Sequence, residues 1–285
     1  MRRGRPTVTT VAQALDQARQ AGLDRLDARW LLAWVLGQDS TWLLAHDSQP
    51  LQTGEAQRYG DLCRRRAAGE PYAYLTGEVG FHGLSLQVNP AVLVPRPDTE
   101  TLVDWALVRL ATDLANRPQP EVVDLGTGSG AIALAVKRAW PQAILTAVDS
   151  SPAALAQAQA NGQRLHTEVE WLHSDWWQAL SGRRFDLVLS NPPYIAAGDP
   201  HLRELGHEPQ LALSPGGDGL DALRRVIAGA PDHLRPGGIV LLEHGWDQGQ
   251  AVLDLLAGAG FDSLDRRQDL GRQWRCSAGR WPGTG

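Results

Sequence analysis

A doubly wound, mostly parallel α/β sheet preceded by a small helical bundle is the fold class this sequence predicts. Three observations carry that reading. From Glu121 to Ala259, strand-like and helix-like segments alternate. From Val8 to about Ala68, apolar residues recur at helical spacing with no strand pattern. Between these regions, Gly69 to Pro97 is crowded with helix breakers. A chain of 285 residues exceeds one typical domain, which fits two unequal units.

In the first region Val11, Leu15 and Ala18 share a helical face, as do Leu31, Leu32, Val35 and Leu36, the run Trp42 to Ala45, and Ala56, Tyr59 and Leu62. Four or five short helices are expected, punctuated by Gly22, Gly37 and Gly54, with Ser40 and Thr53 as N-caps. Arg64, Arg65 and Arg66 close the last helix, where cations favour the C-terminal end; a partner-binding basic edge is the alternative. In the breaker-rich stretch, Leu84 to Val88 and Val92 to Val94 offer strand material for a hairpin. Asp98-Thr99-Glu100 then caps a helix running through Leu102, Trp105, Leu107 and Leu110.

The α/β region starts with a strand at Glu121 to Leu125, the loop Gly126-Thr127-Gly128-Ser129-Gly130 and a helix from Ala131 to Trp140. A strand at Ala143 to Val148 ends in Asp149, and Pro152 suits the first turn of a helix to Asn161. Glu168 to Leu172 is a third strand, ending near Ser174-Asp175-Trp176, and Phe185 to Ser190 a fourth. A helix at Leu220 to Ala230, a strand at Gly238 to Glu243 and a helix at Gln248 to Ala259 follow, and the tail from Phe261 supplies a closing antiparallel pair. The expected divisions are 8–75 for the helical domain, 76–94 for the hairpin linker and 95–285 for the α/β domain.

Composition narrows the function classes. With 43% apolar and 21% charged residues the chain is of globular type, and no stretch reaches a membrane-spanning apolar length. The basic start, Met1 to Thr7, leads into an amphipathic pattern, not a secretory apolar segment, so a bacterial cytoplasm is expected ahead of an organelle. Cys63 and Cys276 are isolated and the eight histidines form no ligand spacing, so neither a metal nor a disulfide is expected. A net charge of −5 argues against non-specific nucleic-acid binding. Of the eleven tryptophans only Trp176 receives a role below; the rest are expected as filler.

Ligands of such sheets lie beyond the carboxyl ends of the strands, and Asp124, the glycine loop, Asp149, Asp175 and Asn191 all fall at such ends. Gly126 and Gly128 permit close backbone approach, and Asp149 stands where an acid accepts from a ribose. These features fit a dinucleotide or S-adenosylmethionine alike; Gly126, Gly128 and Ala131 even satisfy a G-x-G-x-x-A dehydrogenase pattern. The fourth strand ends in Asn191-Pro192-Pro193-Tyr194. Two prolines make this turn stiff and leave acceptors free, so Asn191 and the Pro192 carbonyl can take the two N–H groups of a planar amide or base amine while Tyr194 covers its face.

Asp124-Leu125-Gly126-Thr127-Gly128 followed by Asn191-Pro192-Pro193-Tyr194 resembles the class I, Rossmann-like methyltransferases that modify planar nitrogen groups with S-adenosylmethionine. Further segments resemble the release factor glutamine methyltransferase family, also called PrmC or HemK. They are Gly69-Glu70-Pro71, Tyr74-Leu75-Thr76-Gly77, Val94-Pro95-Arg96-Pro97-Asp98-Thr99-Glu100, Ser174-Asp175-Trp176, Glu208-Pro209, Ala212-Leu213 and Gly217-Asp218-Gly219-Leu220. The likeness runs from the first helices to about Gln248. It implies N5-methylation of the glutamine in the Gly-Gly-Gln loop of peptide-chain release factors, with S-adenosyl-L-homocysteine as the other product. It also implies a substrate-binding role for the helical domain, and a monomer in direct contact with protein, not nucleic acid.

Under this resemblance Asp124, Leu125, Gly126, Thr127 and Gly128 hold the methionine portion, Asp149 the ribose, and Asp175 with Trp176 the adenine, while Asn191 borders cofactor and substrate. Asn191, Pro192, Pro193 and Tyr194 hold the glutamine. An amide nitrogen is a poor nucleophile because its lone pair is delocalised, so aim matters most; positioning can supply ~7–11 kcal/mol without a strong base. Methylation of a nucleic-acid amino group is the rival, since Asn-Pro-Pro-Tyr serves that chemistry too. A non-catalytic cofactor-binding protein is a third reading.

Overall fold

The computed structural model describes residues 9–283, so Met1 to Val8, including the basic start and the first residue of the expected helical domain, lie outside the described residues. The chain divides into two compact units at Gly77/Glu78. In the first, α1 (Val11–Gln20), α2 (Arg25–Leu36), α3 (Ser40–Ala45), α4 (Thr53–Ala67) and α5 (Tyr72–Thr76) enclose a core of Val11, Leu31, Leu32, Leu43, Tyr59 and Leu62. Tyr59 donates its hydroxyl to the Ala28 carbonyl, satisfying its polar tip inside that core.

The helix starts differ from expectation by one residue. Asp39, not Ser40, caps α3 by accepting from the Trp42 amide, because a carboxylate one position earlier is the stronger acceptor. Gln52 precedes α4 and forms a reciprocal box with Glu55, which places Thr53 and Gly54 inside the helix. Gly37 does end α2, in the left-handed conformation that glycine adopts at low cost. The three arginines close α4, with Arg65 on Glu70, Arg66 on Asp27 and Arg64 on Asp61.

The second unit opens with a hairpin of β1 (Glu78–Phe81) and β2 (Leu84–Gln87). Val92 to Val94 form no strand. Phe81, Leu84 and Leu86 share a core with Leu102, Trp105 and Leu110 of α6 (Glu100–Thr112). There follow β3 (Glu121–Leu125), α7 (Ala131–Ala139), β4 (Ile144–Asp149), α8 (Pro152–Arg164), β5 (Glu170–His173) and β6 (Phe185–Ser190). After two short helices, α9 (His201–Glu204) and α10 (Gln210–Leu213), come α11 (Asp221–His233), β7 (Leu234–Glu243), α12 (Gly249–Gly258), β8 (Asp262–Gln268) and β9 (Trp274–Arg280).

The seven strands run in the order β5-β4-β3-β6-β7-β9-β8, the first five parallel and the last two antiparallel additions. Every residue of β6 is buried, as both-face coverage by helices requires. Val123, Leu125 and Val188 pack towards α11 and α12, and Val122, Leu187 and Leu189 towards α6 and α7. No helix among the described residues is long and apolar enough to cross a membrane.

Candidate active site

Strand order reverses between β3 and β6, and Leu125 lies beside Ser190 in their register. Gly126 and Asn191 therefore leave the sheet side by side, where strands stand about 4.8 Å apart. Ser190 locks the pair by donating its hydroxyl to the Leu125 carbonyl at 2.7 Å. Both loops open on one crevice.

The glycine loop is held from beneath by two carboxylates. Thr127 donates its hydroxyl to Asp124 Oδ2 at 2.6 Å, and the Gly128 amide donates to Asp149 Oδ2 at 2.8 Å. The amides of Gly126 and Thr127 both reach the Val148 carbonyl at 2.9 Å. With these donors spent on the protein itself, the loop is poorly equipped for a pyrophosphate, which needs free N–H groups. Asp124 is fully enclosed with Oδ1 lacking any hydrogen-bond partner, and burial pushes its carboxyl up to about 7. Burial also raises Asp149, opposed by the amides of Ser151 and Gly128. Two carboxyls and a shortage of donors suit a ligand that is cationic and rich in its own donors.

The enclosed Asp124 has a consequence for stability. Its folded pKa exceeds the unfolded value of 3.8, so the folded state binds more protons and stability falls as pH rises from about 4 to about 7. Asp124→Asn is expected to raise the melting temperature of the ligand-free protein more at pH 8 than at pH 4, as calorimetry at the two pH values would show.

Gly126, Thr127, Gly128, Asp149, Trp176, Asn191 and Pro193 all line one cavity. The Trp176 ring covers Gly126: a methyl group there would lie 3.5 Å from Cζ3. Trp177 instead stacks on His233 and donates to the Val226 carbonyl, a packing position. Asp124 and Leu125 stand behind the loop, outside the lining. Asp175 is also outside it, its carboxylate accepting from Arg225 at 2.6 Å.

A second, smaller cavity adjoins the first and is lined by Asn191, Pro192, Tyr194, Ile195 and Leu205. Asn191 belongs to both walls, together with Leu93, Arg96 and Ala212. Its Nδ2 donates to Thr99 Oγ1 at 3.1 Å. Thr99 was expected to help cap α6; it makes no side-chain cap, because the 3-10 turn at Pro97–Thr99 satisfies the helix start with backbone carbonyls. Burial keeps the Tyr194 phenol protonated, and it donates to Glu243 at 3.4 Å.

Several residues quoted above only for their family likeness now have contacts. Arg96 pairs with buried Glu208, whose other oxygen accepts from the Val94 amide. Ser214 donates its hydroxyl to the Ile195 carbonyl, and Gln248 donates to the Tyr194 carbonyl at 2.9 Å. Gly219 passes so close that a methyl group on it would sit 2.4 Å from the Tyr194 carbonyl oxygen. These contacts brace Asn-Pro-Pro-Tyr from outside the sheet. No group of three or more metal-ligating side chains occurs among the described residues.

Residues 9–77 match the family model of the PrmC N-terminal domain, and residues 99–245 that of the methyltransferase small domain. The release factor glutamine methyltransferase of Bordetella pertussis is 48% identical, covering 93% of this chain and 97% of that protein. That of Xylella fastidiosa is 49% identical over 95% and 98%, and that of Escherichia coli 41% over 94% and 96%. Among solved structures, the T. thermophilus 16S rRNA methyltransferase RsmC, determined with AdoMet and guanosine, matches with a TM-score of 0.52 at 20% identity, covering 71% of this chain and 49% of that one. A methyltransferase from Pyrococcus furiosus matches with a TM-score of 0.50 at 18% identity, covering 82% of this chain and all of that one. Those two likenesses establish the class I methyltransferase fold, and the near full-length identity to the bacterial proteins goes further: the chain belongs to the release factor glutamine methyltransferase family.

Proposed function

We propose that this protein moves the methyl group of S-adenosylmethionine to the side-chain nitrogen of the glutamine in the Gly-Gly-Gln loop of a peptide-chain release factor. The products are N5-methylglutamine and S-adenosyl-L-homocysteine. The observation that carries this reading is Asn191, standing in the wall shared by two cavities with its Nδ2 committed to Thr99 and its Oδ1 thereby left to accept. A primary amide brings two donors. Asn191 Oδ1 takes one and the Pro192 carbonyl the other, drawing electron density towards nitrogen and aiming it at the larger cavity.

S-adenosylmethionine fits the larger cavity on the chemistry of its walls: the sulfonium and ammonium meet the field of Asp124 and Asp149, and the donor-poor loop disfavours a nucleotide diphosphate. Bound there, it supplies an electrophilic methyl group. Gly126, Thr127 and Gly128 line the methionine end, Asp149 accepts from the ribose hydroxyls, and Trp176 covers the adenine. The Asp175 side chain serves Arg225 and stands outside the cavity lining, so the adenine contact falls to Trp176. Pro193 and Tyr194 confine the amide plane, and the protonated phenol stays out of the proton transfer. The amide proton leaves after methyl transfer, when the nitrogen is far more acidic, so no side-chain base is required.

The helical domain from residue 8 to about residue 75 is the candidate holder of the release factor, and a cytoplasmic monomer is the setting this reading implies. The test is incubation with labelled S-adenosylmethionine and either purified release factor or total RNA and DNA. Label should enter the release factor and map to the peptide bearing the Gly-Gly-Gln glutamine. Label in nuclease-sensitive material, with none in the protein, would favour the nucleic-acid amino-group alternative.

A further inference from the structure

We propose that Arg96 is the binding residue for the carboxylate at the methionine end of the cofactor. The inference rests on S-adenosylmethionine occupying the larger cavity, and it gives a partner to the one charged group of that molecule not yet matched. The sulfonium and ammonium are cations that Asp124 and Asp149 answer. The carboxylate is an anion brought into the same crevice.

The glycine loop is a poor place for it. The Gly126 and Thr127 amides are committed to the Val148 carbonyl, the Gly128 amide to Asp149 and the Thr127 hydroxyl to Asp124. A carboxylate enclosed without donors or a cation is strongly disfavoured, and the neighbouring Asp149 repels it. Among the described residues that line the larger cavity, Asp149 is the sole acid and Arg96 the sole cation. They come from different elements: Asp149 ends β4, and Arg96 immediately precedes the 3-10 turn at Pro97–Thr99. The cavity thus presents one side chain of each charge, the complement of an amino acid's ammonium and carboxylate.

One edge of the Arg96 guanidinium is already fixed. Nη2 donates to Oε1 of Glu208, whose side chain is 2% exposed, and Glu208 Oε2 accepts from the Val94 amide at 3.0 Å. Nε and Nη1 have no hydrogen-bond partner among the described residues. A planar fork with five donors serves a second carboxylate without giving up the first. Leu93 and Pro95 on one segment, and Pro209 and Ala212 on the other, line the same cavity, so the ion pair also joins the two stretches of chain that form this wall.

The experiment reads binding by calorimetry, with S-adenosylmethionine and with its decarboxylated form, which keeps the adenosine, sulfonium and amine. Both ligands meet the same protein, so the ratio of their Kd values cancels a general loss of binding-competent protein. Arg96→Met alone would strand the Glu208 charge, so it is combined with Glu208→Gln, which keeps an acceptor for the Val94 amide. Glu208→Gln alone is the control. Wild type is expected to prefer S-adenosylmethionine by about 10- to 100-fold, the worth of a hydrogen-bonded charge pair. Glu208→Gln should keep that preference and the double variant should reduce it to within about threefold. An absent preference in wild type overturns the assignment. So does a preference that survives in the double variant, which would put the carboxylate on the first amides of α7. A loss in Glu208→Gln equal to that in the double variant overturns it as well, since the wall and not the guanidinium would then be responsible. Each of these outcomes leaves S-adenosylmethionine binding, and with it the proposed methyl transfer, standing. A wild-type protein that binds neither compound removes both.

Discussion

Asn191→Ala is expected to lower kcat by about 10²- to 10³-fold, the usual cost of deleting one preorganised polar contact at a reacting centre. S-adenosylmethionine should still bind, with a Kd within about threefold, because the loop Gly126 to Gly128 and Asp149 are held by Val148, by each other and by Ser151, none of which depends on Asn191. The split follows from the geometry. Asn191 is on the wall of both cavities, but its one recorded side-chain hydrogen bond runs to Thr99 and not to the glycine loop. Steady-state kinetics paired with calorimetry checks it. Loss of cofactor affinity with turnover per bound cofactor unchanged would reverse the assignment and make Asn191 a cofactor residue only.

Gly219→Ala is expected to cut kcat by about 10²-fold through displacement of the turn, since a shift of about 1 Å at a reacting group costs that much. The new methyl group would stand 2.4 Å from the Tyr194 carbonyl oxygen and 2.9 Å from Gln248 Nε2, and both are joined by a hydrogen bond, so neither can yield alone. The backbone is also left-handed there, at φ +83°, which adds about 1–2 kcal/mol for a residue with a side chain. A fall in melting temperature of at least about 2–4 °C should accompany the kinetic loss. Gly216→Ala separates the two causes: φ is +90° but nothing lies within 4 Å of the added carbon. It should share the thermal loss and keep most of the turnover. Equal turnover in both variants would show that the contact with Tyr194 does not hold the turn.

The parts of this site that were legible in the sequence are those encoded within a few residues. The glycine loop and Asn-Pro-Pro-Tyr each combine a strand end with its own stop signal, and alternation of strand and helix is enough to bring such ends to one edge of a sheet. What the pattern hides is pairing across the chain. Thr99 and Asn191 are 92 positions apart, and Arg96 and Glu208 are 112 apart. No local periodicity links them, and Thr99 read alone has the form of a helix cap. Asp175 shows the opposite limit: its place at a strand end was legible, yet Arg225 on α11 turns its carboxylate away from the cavity. Val92 to Val94 carry the β-branched composition of a strand but follow Pro90 and serve near the cavity wall, and the hairpin forms upstream, between Glu78–Phe81 and Leu84–Gln87.

In the proposed reaction the end of β6 holds a carboxamide by its two N–H groups against the methyl donor. A crystal structure with S-adenosyl-L-homocysteine and a glutamine-bearing Gly-Gly-Gln peptide measures this directly. The glutamine nitrogen is expected within hydrogen-bonding distance of both Asn191 Oδ1 and the Pro192 carbonyl, with Asn191 Nδ2 still on Thr99 and the sulfur in the cavity beneath Trp176. A glutamine bound elsewhere, or one whose carbonyl oxygen rather than nitrogen faces Asn191, would contradict it.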